Sequence, residues 1–210
     1  MLDRMALDLL RPGLNGAARG LARLGVHADH VTLAGFAIGL AGAAAIASNR
    51  YPLGLALLLA SRLCDGIDGA LARLTVPTDR GGFLDITLDF MFYASVPLAF
   101  ALADPAANAL AAAVLLAAFV GTGSTFLAFA ALAARRGLHS TVYPAKGIYY
   151  LGGLTEATET LAFFIAMCAW PQHFATLAYL FAALCAVTIA TRICWGWQAF
   201  RPDPCQAEKP

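Results

Sequence analysis

Charged side chains are scarce in this sequence. Only 13% of its 210 residues are Asp, Glu, Lys or Arg, against about 25% in an average globular chain. The formal net charge is +1 and the pI near 7.7, so the electrostatic footprint of a nucleic-acid binder is missing. Paired cysteines are missing too. Cys64, Cys168, Cys185, Cys194 and Cys205 form no CxxC pair and keep no metal-like spacing with the four histidines. An odd number scattered mostly through apolar stretches argues against a disulfide framework, and these residues read as small packing groups. No signal peptide is expected, because the first apolar run of useful length starts near Val31 and arginines stud the segment before it.

What the chain does have is apolar surface. Hydrophobic residues make up 60% of it and the mean hydropathy is +0.70, which excludes disorder. At about 20 residues per crossing, this length holds roughly six transmembrane helices with short loops. The expectation is an all-α, polytopic integral membrane protein forming a single domain over residues 1–210. Apolar stretches run approximately over 31–48, 52–74, 83–103, 106–134, 154–170 and 173–198, making a six-helix bundle across 31–198 with a tail at 199–210. Residues 1–28 read instead as an amphipathic interfacial helix. After Pro12, Leu14, Ala17, Ala18, Leu21 and Leu24 recur at helical spacing with Arg19 and Arg23 opposite, a pattern that suits the membrane surface or a neighbouring helix. Gly35 and Gly39 provide a small-xxx-small spacing, either for close helix contact or as tolerated filler. Tyr51, Trp170, Trp195 and Trp197 fall at helix ends, where interfacial aromatics are expected.

Basic residues set the orientation. Arg4, Arg11, Arg19 and Arg23 precede the first membrane helix. Arg73 and Arg80 separate the second and third, Arg135, Arg136 and Lys146 the fourth and fifth, and Arg192, Arg201 and Lys209 close the chain. Of the remaining two, Arg50 lies on the opposite side and Arg62 inside a helix. The positive-inside bias predicts that both termini face the cytoplasm of a bacterial-type inner membrane.

Against that apolar background the buried acids stand out, since a carboxylate at a helix centre costs about 2.5–3.5 kcal/mol on insertion scales. Asp65 and Asp68 share one face of the second helix at i, i+3, and Asp85 and Asp89 share one face of the third at i, i+4. The short turn with Pro77 and Gly81 predicts that these helices are antiparallel neighbours, so the two acidic faces meet near the cytoplasmic end. Four carboxylates so placed repel unless neutralised, and a hard divalent cation, Mg²⁺ or Mn²⁺, suits an all-oxygen site that leaves room for substrate phosphates. Gly66 and Gly69 beside the first pair would let a bulky ligand approach the backbone. Arg73, one turn on, offers a forked donor for phosphate. The alternative is a set of buried salt bridges to Arg62, Arg73 and Arg80.

These residues, D-x2-D-G-x2-A-R followed by G-x3-D-x3-D, resemble the signature of the CDP-alcohol phosphotransferases, membrane enzymes of phospholipid synthesis. Here the signature reads Asp65, Asp68, Gly69, Ala72, Arg73, Gly81, Asp85 and Asp89, with seven residues between Arg73 and Gly81 where the usual pattern has eight. The resemblance implies that Asp65, Asp68, Asp85 and Asp89 surround the metal site, two ions being usual, with Asp89 as catalytic base. It implies a nucleotide pocket lined by Gly69, Ala72, Arg73 and Gly81. Upstream, Ala28 to Thr32 is similar to the family's P-N-x-x-T segment, so Asp29 and Thr32 become candidate cytidine contacts, although Asp29 also suits a helix N-cap. The implied reaction moves a phosphatidyl group from CDP-diacylglycerol to a small hydroxyl acceptor and releases CMP, in a homodimer.

The acceptor is expected at Arg135, Arg136, Lys146 and Glu156. The cations would take an anionic acceptor such as glycerol phosphate or inositol phosphate; Glu156 and Glu159 would pair with those cations or with an amino alcohol. His139 is either a proton shuttle or a solvated loop residue. Phe90, Phe92 and Tyr93 either pack the core, face lipid or line an acyl groove. Two other functions fit less of the pattern: an aminoalcohol phosphotransferase acting from CDP-choline or CDP-ethanolamine on diacylglycerol, and a divalent-cation transporter. A transporter wants acids reaching both sides of the membrane, whereas these cluster at one end.

Overall fold

The computed structural model describes residues 2–137 and 153–201. Seven α-helices follow one another there: α1 (Leu2–Arg23), α2 (Ala28–Ala47), α3 (Tyr51–Leu74), α4 (Asp79–Ala103), α5 (Pro105–Arg135), α6 (Ala157–Ala169) and α7 (Phe174–Ala199), with a single 3-10 turn at Pro171–His173. No strand occurs among the described residues. The protein is an all-α, multi-pass integral membrane protein, and α2–α7 take the places of the six apolar stretches. The largest differences are at starts: α2 begins at Ala28 and α4 at Asp79, because polar first turns belong to the helices without adding to the apolar run.

Four segments are long and apolar enough to cross a membrane: α2, α4, α5 and Pro171–Ala199. The 24-residue α3 has the length, but Arg62, Asp65 and Asp68 lower its apolar content. The 13-residue α6 reaches only about 20 Å at 1.5 Å per residue. The 31-residue α5 is longer than the hydrocarbon layer requires, as expected for a helix that tilts or projects.

The amphipathic stripe of α1 is used within the protein. Ala18 is fully buried and packs with Leu14 and Leu21 against Ala70 and Leu71 of α3, so α1 braces the helix that carries the first acidic pair. Leu14 also fills the space beside Gly66: a Cβ on that glycine would lie 3.0 Å from Leu14 Cδ1. Gly66 therefore admits α1, and the expectation that it leaves room for ligand is corrected.

Helix α2 is the central support. It packs along α3 and also against α4, and its glycines are required for this. A Cβ on Gly35 would lie 2.8 Å from Cys64 Cβ, and one on Gly39 would lie 2.6 Å from the Phe92 ring and 2.8 Å from Ser61 Oγ. Close helix approach, rather than filler, explains both residues. The backbones of α3 and α4 come much less close to each other than either does to α2. The two acidic faces do meet, but side chains span the space between the helices while α2 holds both backbones.

The main core lies deeper in the bundle. Phe92, Phe100, Phe164, Phe174 and Phe181 are fully buried, and Cys168 and Cys185 pack among them. The Phe100 and Phe174 rings stack at 4.4 Å. At the α4–α5 corner, Asp104 accepts from Ala107 N at 3.1 Å ahead of Pro105, and Asn108 Nδ2 donates to the Phe100 carbonyl at 3.1 Å. These bonds satisfy the helix ends where the chain reverses.

Candidate active site

Asp65 and Asp68 sit in the last part of α3, while Asp85 and Asp89 sit in the first part of α4. The start of α4 is set by Thr78, whose hydroxyl accepts from Gly81 N at 3.1 Å. Gly81 therefore belongs to the first turn of α4, and the shortened spacer is absorbed in the link before it.

One carboxylate oxygen from each of Asp65, Asp68 and Asp85 lies within 4.8 Å of the other two. Asp68 is only 5% exposed, and its Oδ2 is buried without a hydrogen-bond partner among the described residues. An unpaired buried carboxylate oxygen is costly unless a cation meets it. Three acidic oxygens at that separation, on a set of residues that includes a buried aspartate with an unsatisfied oxygen, have the donor chemistry and spacing of a divalent-cation site.

Asp89 lines the same cleft and shares Arg62 with Asp65. Its Oδ1 accepts from Arg62 Nη1 at 2.5 Å, whereas the same nitrogen lies 3.6 Å from Asp65 Oδ1. The guanidinium carbon is 3.9 Å from the centre of the Phe92 ring and 5.6 Å from that of Tyr93. From sequence, Arg62 is only an arginine within a helix or a salt-bridge partner; its signal is a cation one turn before an aspartate inside an apolar run. Arg62 and the four aspartates, with Thr32 of α2, border one small cleft.

The other nucleotide candidates surround this cleft unequally. Thr32 lines it, and its hydroxyl donates to the Ala28 carbonyl at 3.1 Å. Asp29 occupies the first turn of α2, where a negative charge complements the helix dipole; the residue ahead of the helix is His27, so Asp29 is not its N-cap. Asp29 is ion-paired with the exposed Arg80. A Cβ on Gly81 would lie 3.2 Å from Asp29 Oδ1, so Gly81 keeps the α4 start close to α2. Gly69 lies beside Arg73, whose Nη1 would be 3.4 Å from a Cβ there; Ala72 is half-buried and Arg73 exposed.

Two of the acceptor candidates have structural tasks. Arg136 donates to the carbonyls of Ala199 at 3.3 Å, Phe200 at 3.2 Å and Arg201 at 3.5 Å, closing the C-terminal end of α7. Glu156 and Glu159 form a reciprocal capping box at the start of α6, with Glu156 N donating to Glu159 Oε2 at 3.0 Å. The pairing of these glutamates with loop cations is not what the described residues show. Arg135 is exposed at the end of α5. Lys146 and His139 lie outside the described residues. The sequence reading treated Arg192 only as a topology signal, but α7 buries it, and Nη1 donates to the Thr122 carbonyl of α5 at 3.0 Å. Beside it, the hydroxyls of Thr155 and Thr188 share a buried hydrogen bond of 2.9 Å.

Comparison with known proteins agrees with this geometry. The chain is 50% identical over 197 residues to an Escherichia coli inner membrane protein, YnjF, covering 94% of this chain and 96% of that one. It is 41% identical over 90 residues to an archaetidylinositol phosphate synthase of Methanothermobacter thermautotrophicus, covering 42% and 46% of the two chains. Among solved structures, it resembles the phosphatidylinositol phosphate synthase of Mycobacterium tuberculosis with CDP-DAG bound, with a TM-score of 0.65 at 25% identity over 88% of this chain and 93% of that one. The same enzyme in complex with manganese and citrate shares the fold with a TM-score of 0.70 at 23% identity, over 88% of each chain. Residues 26–194 match the model of one family across both acidic pairs. The chain belongs to the CDP-alcohol phosphatidyltransferases, membrane enzymes that transfer substituted phosphate groups.

Proposed function

We propose that the protein transfers a phosphatidyl group from CDP-diacylglycerol to the hydroxyl of a small phosphorylated polyol, of the glycerol phosphate or inositol phosphate class, and releases CMP. The observation that carries this reading is the clustering of Asp65, Asp68 and Asp85 carboxylates, Asp68 carrying a buried unsatisfied oxygen, in a cleft that Asp89 also borders. The CDP-lipid in the mycobacterial relative supports the choice of donor. The archaeal synthase supports a phosphorylated acceptor.

Asp65, Asp68 and Asp85 would hold Mg²⁺ or Mn²⁺, which when bound supplies positive charge against the donor pyrophosphate. Asp89 accepts the proton of the acceptor hydroxyl. The oxygen then forms its bond to the phosphorus that carries diacylglycerol, and the bond from that phosphorus to the CMP oxygen breaks with its electron pair. Thr32, Asp29, Gly69, Ala72, Arg73 and Gly81 form the nucleotide side of the site. In this reading this end of the bundle and both termini face the cytoplasm, which the distribution of Lys and Arg supports.

The test is an incubation of the purified full-length protein with Mg²⁺ and CDP-diacylglycerol against a panel of glycerol phosphate, inositol phosphate, serine and free polyols. CMP is quantified and the lipid products are weighed by mass spectrometry. A phosphatidylated polyol phosphate is the expected product. Release of CMP only from CDP-ethanolamine or CDP-choline with diacylglycerol would overturn the proposal in favour of an aminoalcohol phosphotransferase, and magnesium flux without nucleotide binding would favour a transporter.

A further inference from the structure

The acidic motif D-x2-D-G leaves position 66 open, yet this chain places a glycine there, between Asp65 and Asp68. We propose that Leu14 of α1 is a positioning residue for the metal site: it fills the space that Gly66 leaves and steadies the turn of α3 that presents Asp65 and Asp68. The inference rests on the reading of Asp65, Asp68 and Asp85 as ion ligands.

The contact is close and specific. A Cβ at position 66 would lie 3.0 Å from Leu14 Cδ1, 3.2 Å from Cδ2 and 3.7 Å from Cγ, so the branched end of Leu14 covers the backbone of this turn. Four residues further along each helix, Ala18 and Ala70 are buried in one cluster with Leu71, and Leu21 packs against it. The seam between α1 and α3 is thus anchored beyond the acids, and Leu14 is the part of it that reaches them. The same turn is gripped a second time. Cys64 rests on the bare backbone of Gly35 in α2, where a Cβ would lie 2.8 Å from Cys64 Cβ. Residues 64 and 66 are about 200° apart around a helix, so α1 and α2 hold the turn from opposite sides.

The chemistry of the site explains why the turn needs support. Asp65 and Asp68 share a cleft with two more carboxylates, and like charges push such groups apart. Glycine makes a helix interior easier to deform, because it has the most backbone freedom to lose. A divalent ion requires its oxygens at fixed positions, Mg²⁺ most strictly. A larger residue at 66 would stiffen α3 from within but would exclude Leu14. Here the stiffening comes from α1 instead, so ion affinity depends on the docking of an N-terminal helix that supplies none of the clustered carboxylates.

The experiment uses the full-length, detergent-solubilised protein and two readouts without substrate: Mn²⁺ titration, followed by the paramagnetic resonance of free Mn²⁺, and thermal melting. Leu14→Ala should weaken Mn²⁺ binding by about tenfold, the lower end of what loss of a supporting residue around a metal site costs. Leu21→Ala is the matched control, since it truncates the same seam away from the acids. It should lower the melting temperature and keep Mn²⁺ affinity within about threefold of the wild type. Adding Gly66→Ala to Leu14→Ala returns a methyl group to the emptied space and stiffens the turn, so most of the lost affinity should come back. Wild-type affinity in Leu14→Ala overturns the proposal. An equal loss in Leu21→Ala also overturns it, because α1 would then act through overall stability alone. Should Leu14→Ala fail to fold, Leu14→Val withdraws the two Cδ methyls from Gly66; a smaller weakening in the same direction is expected, and unchanged affinity would refute the assignment. If the wild type releases no CMP from CDP-diacylglycerol with any acceptor, the proposed donor is wrong, while the Mn²⁺ titration still decides the role of Leu14. If the wild type binds no Mn²⁺ that Asp68→Ala removes, the ion site and the role of Leu14 fall together.

Discussion

Replacing Gly39 by alanine adds one methyl group, yet it should disturb both the stability and the chemistry of this protein. In an ordinary helix interior the exchange is favourable by roughly 0.5–1 kcal/mol, because alanine leaves less backbone entropy to lose. Here the new Cβ would sit 2.6 Å from Phe92 Cδ2 and 2.8 Å from Ser61 Oγ, where ordinary contact begins at 3.4 Å. Ser61 can rotate its hydroxyl, but Phe92 is a fully buried ring in the main core and has nowhere to go. Overpacking of this kind costs about 1–3 kcal/mol, so the net loss is about 1–2 kcal/mol after the helix gain. At roughly 2–4 °C per kcal/mol for a chain of this size, the melting temperature in detergent should fall by about 2–8 °C. The same displacement moves the surface under Arg62, so CMP release should fall as well. Gly82→Ala is the matched control: that glycine is exposed in the first turn of α4, with nothing within 4 Å of its Cβ position, and the melting temperature should hold or rise. A Gly39→Ala variant that melts at or above the wild type with unchanged CMP release would refute the packing argument.

The remaining expectations concern individual groups. Asp89→Asn should abolish CMP release while calorimetry still detects CDP-lipid binding; near-normal turnover would remove Asp89 as base. Asp68→Ala, which deletes the buried unsatisfied oxygen, should weaken Mn²⁺ binding at least tenfold, on the scale of losing one charge-assisted ligand, and an unchanged titration would place the ion elsewhere. Glu156→Ala should lower stability by about 1 kcal/mol through loss of the α6 cap with acceptor KM unchanged; a selective rise in acceptor KM would restore Glu156 as a binding residue.

Helix placement and the acidic motif were legible because each depends on short spacing. The i, i+3 relation of Asp65 to Asp68 and the i, i+4 relation of Asp85 to Asp89 fix shared helix faces whatever surrounds them. The tasks of single charged residues were not legible, because their partners lie far along the chain. Arg62 finds Asp89 27 residues away, and Arg136 finds the end of α7 more than 60 residues away. Arg136 looked available for substrate because no local pattern reports a distant carbonyl. Glu156 and Glu159 did carry a local signal, the capping-box spacing, which was read as charge pairing instead. The short α3–α4 link made the meeting of the two acidic faces legible, though a short connection fixes the reversal of the chain and not how closely the two helix backbones approach.

The ion pair between Arg62 and Asp89 also bears on how the chain enters the bilayer during synthesis. Emerging alone, α3 offers the translocon an arginine and two aspartates within one would-be span, each unfavourable in hydrocarbon. Lateral release of α3 by itself is therefore poorly favoured, while α2 ahead of it and α4 behind it are apolar enough to partition unaided. Entry of α3 together with α4 lets Asp89 neutralise Arg62 before either meets lipid. The ion pair between α3 and α4 is thus expected to make membrane insertion of these two helices a single cooperative event.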